Sequence, residues 1–260
     1  MEFFDTHSHY NDEKFDEDRE EIIKSTYESG VTRFVCAGYN IESSKKAIEM
    51  SQKYEFIYSI CGISPNDIPQ SEQELWKDIA EITKIVKENK TNKIVAIGEI
   101  GLDYYWNKES KELQKEAFIK QIDLANEMDM PIVIHSRDAS IDTIDIIREH
   151  LVRKAGIFHC CQFNQEMIRQ ALELGYYISF AGPVTFKNSK NALDVVKMIP
   201  LNRILIETDS PYLAPEPNRG KRNDSRNVKF IAQKIADFKE MTIEEIAKIT
   251  YENANKIFRI

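Results

Sequence analysis

No apolar stretch in this chain approaches the roughly 18 residues that a membrane-spanning helix needs, so none is expected. The start, Met1-Glu2-Phe3-Phe4-Asp5, carries no basic segment ahead of an apolar one, and no signal peptide is read there. Cysteine is limited to Cys36, Cys61, Cys160 and Cys161, with no Cys-x-x-Cys pair. A chain of 260 residues has no need of disulfide staples, so reduced thiols and a cytoplasmic location are the expectation. Positive charge is in the minority: 35 Lys and Arg stand against 43 Asp and Glu, a formal charge of -8. That balance excludes a basic coat over the whole surface, and any phosphate binding must come from a local patch or from bound metal. Missing too is a glycine-rich phosphate turn after the first apolar run, which passes directly into Asp5-Thr6-His7-Ser8-His9.

What is present is a large stock of core-forming residues. Thirteen Phe, 11 Tyr and 2 Trp, with many Ile, exclude low-hydrophobicity disorder. Short β-branched runs alternate with longer amphipathic ones from end to end. The runs predict strands over Glu2–Thr6, Arg33–Ala37, Phe56–Cys61, Lys93–Gly98, Ile132–His135, Gly156–Phe158, Tyr176–Ser179 and Arg203–Glu207. Between them the pattern predicts helices, among them Asp18–Glu28, Ile41–Lys53, Glu72–Glu88, Glu109–Met128 and Gln165–Leu174. Ser71 with Glu74 has the spacing of a capping box. Eight such alternations without an interrupting linker or repeat predict an α/β fold, a (β/α)8 TIM barrel spanning residues 1–260 as one domain. Thr242–Phe258 is read as an extra C-terminal helix packed over the barrel.

Four of the five histidines fall at a predicted strand end or just past it: His7, His9, His135 and His159. Glu99 and Asp209 occupy equivalent places after the fourth and eighth strands, whereas His150 lies at a helix end and is expected to be solvated. In a barrel those strand ends converge on one rim, so residues far apart in sequence can share a pocket. Imidazoles with carboxylates suit zinc, manganese or iron, and six ligands can hold two ions. Each residue alone is more often a packed or capping side chain; the common placement is what points to metal.

Five segments carry a resemblance to a known family. Asp5-Thr6-His7-Ser8-His9, Gly98-Glu99-Ile100-Gly101-Leu102-Asp103, Val133-Ile134-His135-Ser136-Arg137, Phe158-His159-Cys160 and Glu207-Thr208-Asp209-Ser210-Pro211-Tyr212-Leu213-Ala214-Pro215 resemble the TatD family of metal-dependent deoxyribonucleases. The resemblance implies a barrel with a binuclear divalent-metal site and, in several members, 3′-to-5′ exonuclease activity on DNA or RNA. It implies that His7, His9, Glu99 and Asp209 hold one ion, and Glu99, His135 and His159 the second, with Glu99 bridging. The chain departs from the family pattern at Gly62-Ile63-Ser64-Pro65-Asn66, where histidines usually stand in place of Ser64 and Asn66. Those histidines are not family metal ligands, so the departure bears on substrate contacts.

Asp209 is read as the group that takes the proton of the attacking water, Glu99 as its partner in catalysis, and Glu207 as an orienting or assisting acid. Arg137 is read as a phosphate grip or as the partner of a neighbouring acid, and Arg219, Lys221 and Arg222, within a segment that also holds Arg226 and Lys229, as a local phosphate-binding patch. Tyr104, Tyr105 and Trp106 are candidates for base stacking or for anchoring a loop. The expected cofactors are two divalent ions: zinc, manganese or magnesium. The expected partner is a nucleic acid, DNA or RNA, with no membrane and no obligate protein partner. The competing chemistry is hydrolysis of an ester, an amide or an aminoacyl-tRNA. Such enzymes often bridge their metals with a carboxylated lysine, but the nearest lysine, Lys93, opens the fourth strand at the wrong end.

Overall fold

A computed structural model describes residues 1–260. Its eight strands are β1 (Phe3–Ser8), β2 (Val31–Ala37), β3 (Ile57–Cys61), β4 (Ile94–Asp103), β5 (Ile132–Arg137), β6 (Ile157–Phe158), β7 (Tyr177–Phe180) and β8 (Ile204–Ile206). They run parallel and lie side by side in chain order, forming a nearly closed barrel. A helix follows each strand: α1 (Arg19–Glu28), α2 (Ile41–Lys53), α3 (Glu72–Glu88), α4 (Lys111–Met128), α5 (Ser140–Glu149), α6 (Gln165–Glu173), α7 (Ala192–Met198) and α8 (Val228–Lys239). The last, α9 (Ile243–Phe258), is the expected extra helix. No helix is long and apolar enough to cross a membrane.

Alternation along the strands sorts the core into two layers. On β2, Phe34 and Cys36 join the large cluster shared with the helices, while Val35 and Ala37 join a smaller inner one. The inner cluster also takes Phe4, Ile60, Val133 and Leu205, and is completed by Ala254, Ile257 and Phe258 of α9. That last helix therefore plugs the end of the barrel at which the strands begin. The Phe258 ring lies 6.0 Å from Phe4, and the Asn253 amide donates to the carbonyls of Leu201, just ahead of β8, and of Ile204, its first residue. Thr242 starts α9 with a capping box, its hydroxyl accepting from the Glu245 N–H while the Glu245 carboxylate accepts from the Thr242 N–H.

Strand boundaries differ from the sequence reading where the site lies. The predicted fourth strand ends at Gly98, yet β4 continues through Glu99 to Asp103. Glycine serves close approach here, because a Cβ on Gly101 would lie 2.1 Å from the His135 carbonyl oxygen. Beside the site, two ladders carry an extra residue. On β1, Asp5 pairs with Phe34 but Ser8 with Cys36; on β4, Ile97 pairs with Ile132 but Ile100 with Ile134. A bulge of this kind re-aims a side chain, and the two bulges enclose His7 and Glu99. No ladder joins β8 to β1. A lone bridge between Ser8 and Ser210 marks that seam.

Candidate metal centre

All six residues expected to hold metal meet at the rim where the strands end. His7 is fully buried, and His9, Glu99 and His159 nearly so. Their donor atoms fall into two sets. In one, His7 Nε2 lies 3.2 Å from His9 Nε2 and 3.4 Å from Glu99 Oε2, and His9 Nε2 lies 3.2 Å from Asp209 Oδ1. In the other, Glu99 Oε1 lies 2.9 Å from His135 Nδ1 and 3.3 Å from His159 Nε2, which are themselves 3.2 Å apart. Glu99 thus offers one oxygen to each set.

These spacings fit a cation. An ion held at about 2.0–2.1 Å by tetrahedral ligands keeps neighbouring donors about 3.3–3.4 Å apart. Imidazole nitrogens brought this close without an ion would need a proton between them. Carboxylates and carbonyls behind the rings fix which nitrogen faces inward. His135 Nε2 pairs with Asp103 Oδ2 at 2.9 Å, His159 Nδ1 with Glu207 Oε1 at 3.3 Å, and His9 Nδ1 with the Ala37 carbonyl at 3.2 Å. Donation to these acceptors leaves the opposite nitrogen of each ring with a free lone pair toward the centre. His7 has no such acceptor behind it; its Nδ1 is buried without a partner, and its ring stacks on His159 at 4.1 Å.

Charge is strongly coupled across the cluster. Burial pushes the His159 imidazole down, but Glu99 and Glu207 outweigh it and hold the group well above its ordinary value. His9 is likewise raised despite burial, by Asp209, and His135 by Asp103 and Glu99. His7 goes the other way, lowered by burial and by the neighbouring His159. Burial would raise the Glu99 carboxyl, yet the surrounding imidazoles, His159 foremost, hold it well below its usual range. In the metal-free centre His9, His135 and His159 are therefore biased toward the protonated form and His7 toward the neutral one.

The centre opens into a cavity of about 530 Å³ lined by His9, Glu99, His135, His159 and Asp209, with Trp106 and Arg137 among the other lining residues. Arg137 pairs with no acid; its guanidinium lies 4.1 Å from the Tyr105 ring centre and 5.4 Å from that of Trp106. Of the three aromatics, Trp106 lines the cavity, Tyr105 supports the arginine, and buried Tyr104 anchors the loop through a 2.6 Å bond to Asp142. Asn66, at a position of departure from the family pattern, donates to Asp103 Oδ2 at 3.3 Å and so touches the acceptor behind His135.

Other expected site residues lie off the cavity. Glu207 does not line the cavity: it is wholly buried behind His159, where Oε1 also accepts from the Cys160 N–H at 2.7 Å. It orients the ring. None of Arg219, Lys221 and Arg222 lines the cavity either. Arg222 is tied to Asp18 and to the Lys14 carbonyl, while Arg219 lies over the Phe186 ring at 4.1 Å. Clustering in sequence placed these cations together, but each found a local partner or solvent. Asp103 has a role that its motif alone does not signal: its place four residues after Glu99 on the same strand brings it to the rim, behind His135.

Comparison with known proteins agrees with this geometry. Residues 4–259 match the family described as TatD related DNase. The chain is 46% identical over 258 residues, 99% of both chains, to the metal-dependent hydrolase YabD of Bacillus subtilis. It is 32% identical over 260 residues, 100% of this chain and 98% of the other, to a metal-dependent hydrolase of Methanocaldococcus jannaschii. Among solved structures, the TatD homologue YJJV of Escherichia coli superposes with a TM-score of 0.93 at 23% identity, covering 99% of this chain and 98% of that one. A phosphotriesterase homology protein of Escherichia coli, complexed with phosphate in its active site, shares the fold at a TM-score of 0.75 and 15% identity, covering 99% and 98%.

Proposed function

The chain belongs to the TatD-related DNase family of metal-dependent hydrolases, and from this we propose that it cleaves phosphodiester bonds at the 3′ end of single-stranded DNA, or of RNA, with two divalent ions bound. The observation that carries the reading is the Glu99 carboxylate, which gives Oε2 to the His7, His9 and Asp209 set and Oε1 to the His135 and His159 set. When bound by these residues, divalent ions would supply a water of lowered pKa and offset charge developing on phosphoryl oxygens.

The chain's own groups supply the rest. Asp209, at the cavity surface with its carboxyl held down by His9 despite burial, is ionised at neutral pH and accepts the proton of the attacking water. Arg137, free of acidic partners and braced by Tyr105, grips a phosphate oxygen. Trp106 gives a terminal base an aromatic face. Phosphate in the active site of the Escherichia coli protein of the same fold supports a phosphoryl substrate. The ester or amide alternative lacks its usual bridging lysine, because the Lys93 ammonium bonds the carbonyls of Glu55 and Ile57 at the far end of β4.

Digestion of end-labelled single-stranded DNA and RNA, in a series of zinc, manganese and magnesium, tests the proposal. Stepwise release of mononucleotides from the 3′ end, lost in His135→Ala, is the expected outcome. Full activity after chelation, or hydrolysis confined to aminoacyl-tRNA and simple esters, refutes it.

A further inference from the structure

A carboxylate that no catalytic step uses helps to close the gap between β8 and β1, beside the His9 N–H and Thr6 hydroxyl bonds to the Ser210 and Ile206 carbonyls. Asp5 is fully buried on β1. Its Oδ1 accepts from the Thr208 N–H at 2.9 Å and from the His7 N–H at 3.3 Å, and its Oδ2 accepts from the Thr208 hydroxyl at 2.5 Å. In a laddered barrel the Thr208 N–H would find a backbone carbonyl on the neighbouring strand. The extra residue between Asp5 and Ser8 throws β1 out of register there, and the Asp5 side chain stands in. What it binds matters. His7 belongs to one metal set, and Thr208 directly precedes Asp209, which belongs to the same set. Asp209 itself sits in a left-handed turn, φ 55°, with its N–H bonded to the His7 carbonyl at 2.9 Å. On the β4 side of the centre, the His135 backbone is held within a continuous ladder from Ile100 to Asp103, with Glu99 in the bulge just ahead of it.

We infer that Asp5 is a positioning residue that clamps the β1 bulge to the exit of β8, so that His7, His9 and Asp209 converge on one ion while the Glu99, His135 and His159 set is held independently. The assignment rests on the two-ion reading above. It separates the two metal positions: the seam position depends on Asp5, and the ladder position does not.

Zinc titration of chelated chains, followed by competition with a chromophoric chelator and by metal content, provides the test. The wild-type chain takes up two ions. Asp5→Ala, in a chain whose circular dichroism matches wild type, weakens one ion by about 10–100-fold and leaves the other unchanged. Asp5→Asn restores most of the loss, because a carboxamide accepts from the Thr208 N–H and donates to its hydroxyl. Thr208→Val, nearly isosteric, removes one of the three bonds and weakens the same ion in the same direction, which covers the case of an unfolded alanine variant. Wild-type affinity for both ions in Asp5→Ala or Thr208→Val overturns the assignment alone. Equal weakening of both ions also overturns it, since that marks a general structural role. Fewer than two ions on the wild-type chain overturns the two-ion reading from which the assignment starts.

Discussion

Two stretches of the barrel wall carry the ligands in different ways. Between β4 and β5, strands of ten and six residues pair through Asp103 and Arg137; His135 rides on that ladder, and Glu99 stands in the bulge just ahead of it. Between β8 and β1, a three-residue strand meets a bulged one with a single bridge, and Asp5, Thr6 and Thr208 side chains make bonds that backbone makes elsewhere. A ladder distributes rigidity over many backbone bonds. The seam concentrates it in a few buried polar groups, each costly to leave unpaired. The lesson is that one shared carboxylate, Glu99, joins a stiffly built half-site to one that depends on individual side chains.

Replacing the shared residue should erase the contrast and have the largest effect. Glu99→Ala is expected to cost both ions and, with the loss of several kcal/mol of transition-state stabilisation, on the order of 10³-fold or more in rate. Metal content and a turnover assay check it; retention of a tightly held pair of ions would sink the bridging role. Next come the acceptors behind the rings. Asp103→Asn and Glu207→Gln should each weaken metal binding about 10–100-fold through His135 and His159 respectively, leaving the seam ligands alone. Loss confined to the other ion would reverse the comparison.

Acid should act on both halves, to a degree set by protons already present. His9, His135 and His159 are raised above the ordinary imidazole value, so in the metal-free chain they hold protons over a range in which free histidine has lost them. A cation must displace those protons, hence affinity falls as pH falls. Calorimetry of zinc uptake in two buffers of different ionisation enthalpy should register proton release; identical heats would contradict the raised imidazoles.

Smaller effects lie outside the two half-sites. Arg137→Ala is expected to raise KM for an oligonucleotide by roughly 10-fold, as loss of a charge-assisted hydrogen bond requires, with metal content unchanged. Arg222→Ala breaks a pair with Asp18 that is about one-third exposed on each side, so its cost is at most about 1 kcal/mol, with little change in turnover. A large KM effect at Arg222 and none at Arg137 would restore the basic segment as the phosphate site and displace the cavity wall.

Much of this molecule was legible in the residue order. Alternation of β-branched and amphipathic runs predicted all eight strands, and the ends of α2 and α3 fell where the pattern put them, because periodicity and capping are local properties. His7, His9, His135, His159, Glu99 and Asp209 could be singled out together, since a barrel brings the strand ends to one rim. The fourth strand runs five residues past its predicted end, because a bulge within a strand leaves no local signal in the sequence. Arg219, Lys221 and Arg222 lie off the cavity, because like charges adjacent in sequence take their partners from other parts of the chain, Asp18 for Arg222 being the instance.

Amino-acid order alone determined the kind of chemistry: which side chains could bind a cation, and on which strands they stand. Tertiary structure decided how they face. Two one-residue bulges turn His7 and Glu99, Asp103 and Glu207 select the ring nitrogens presented, and Asp5 ties the last strand to the first. Each depends on partners far away along the chain, and a hydrogen bond over such a separation leaves no periodic trace in the sequence.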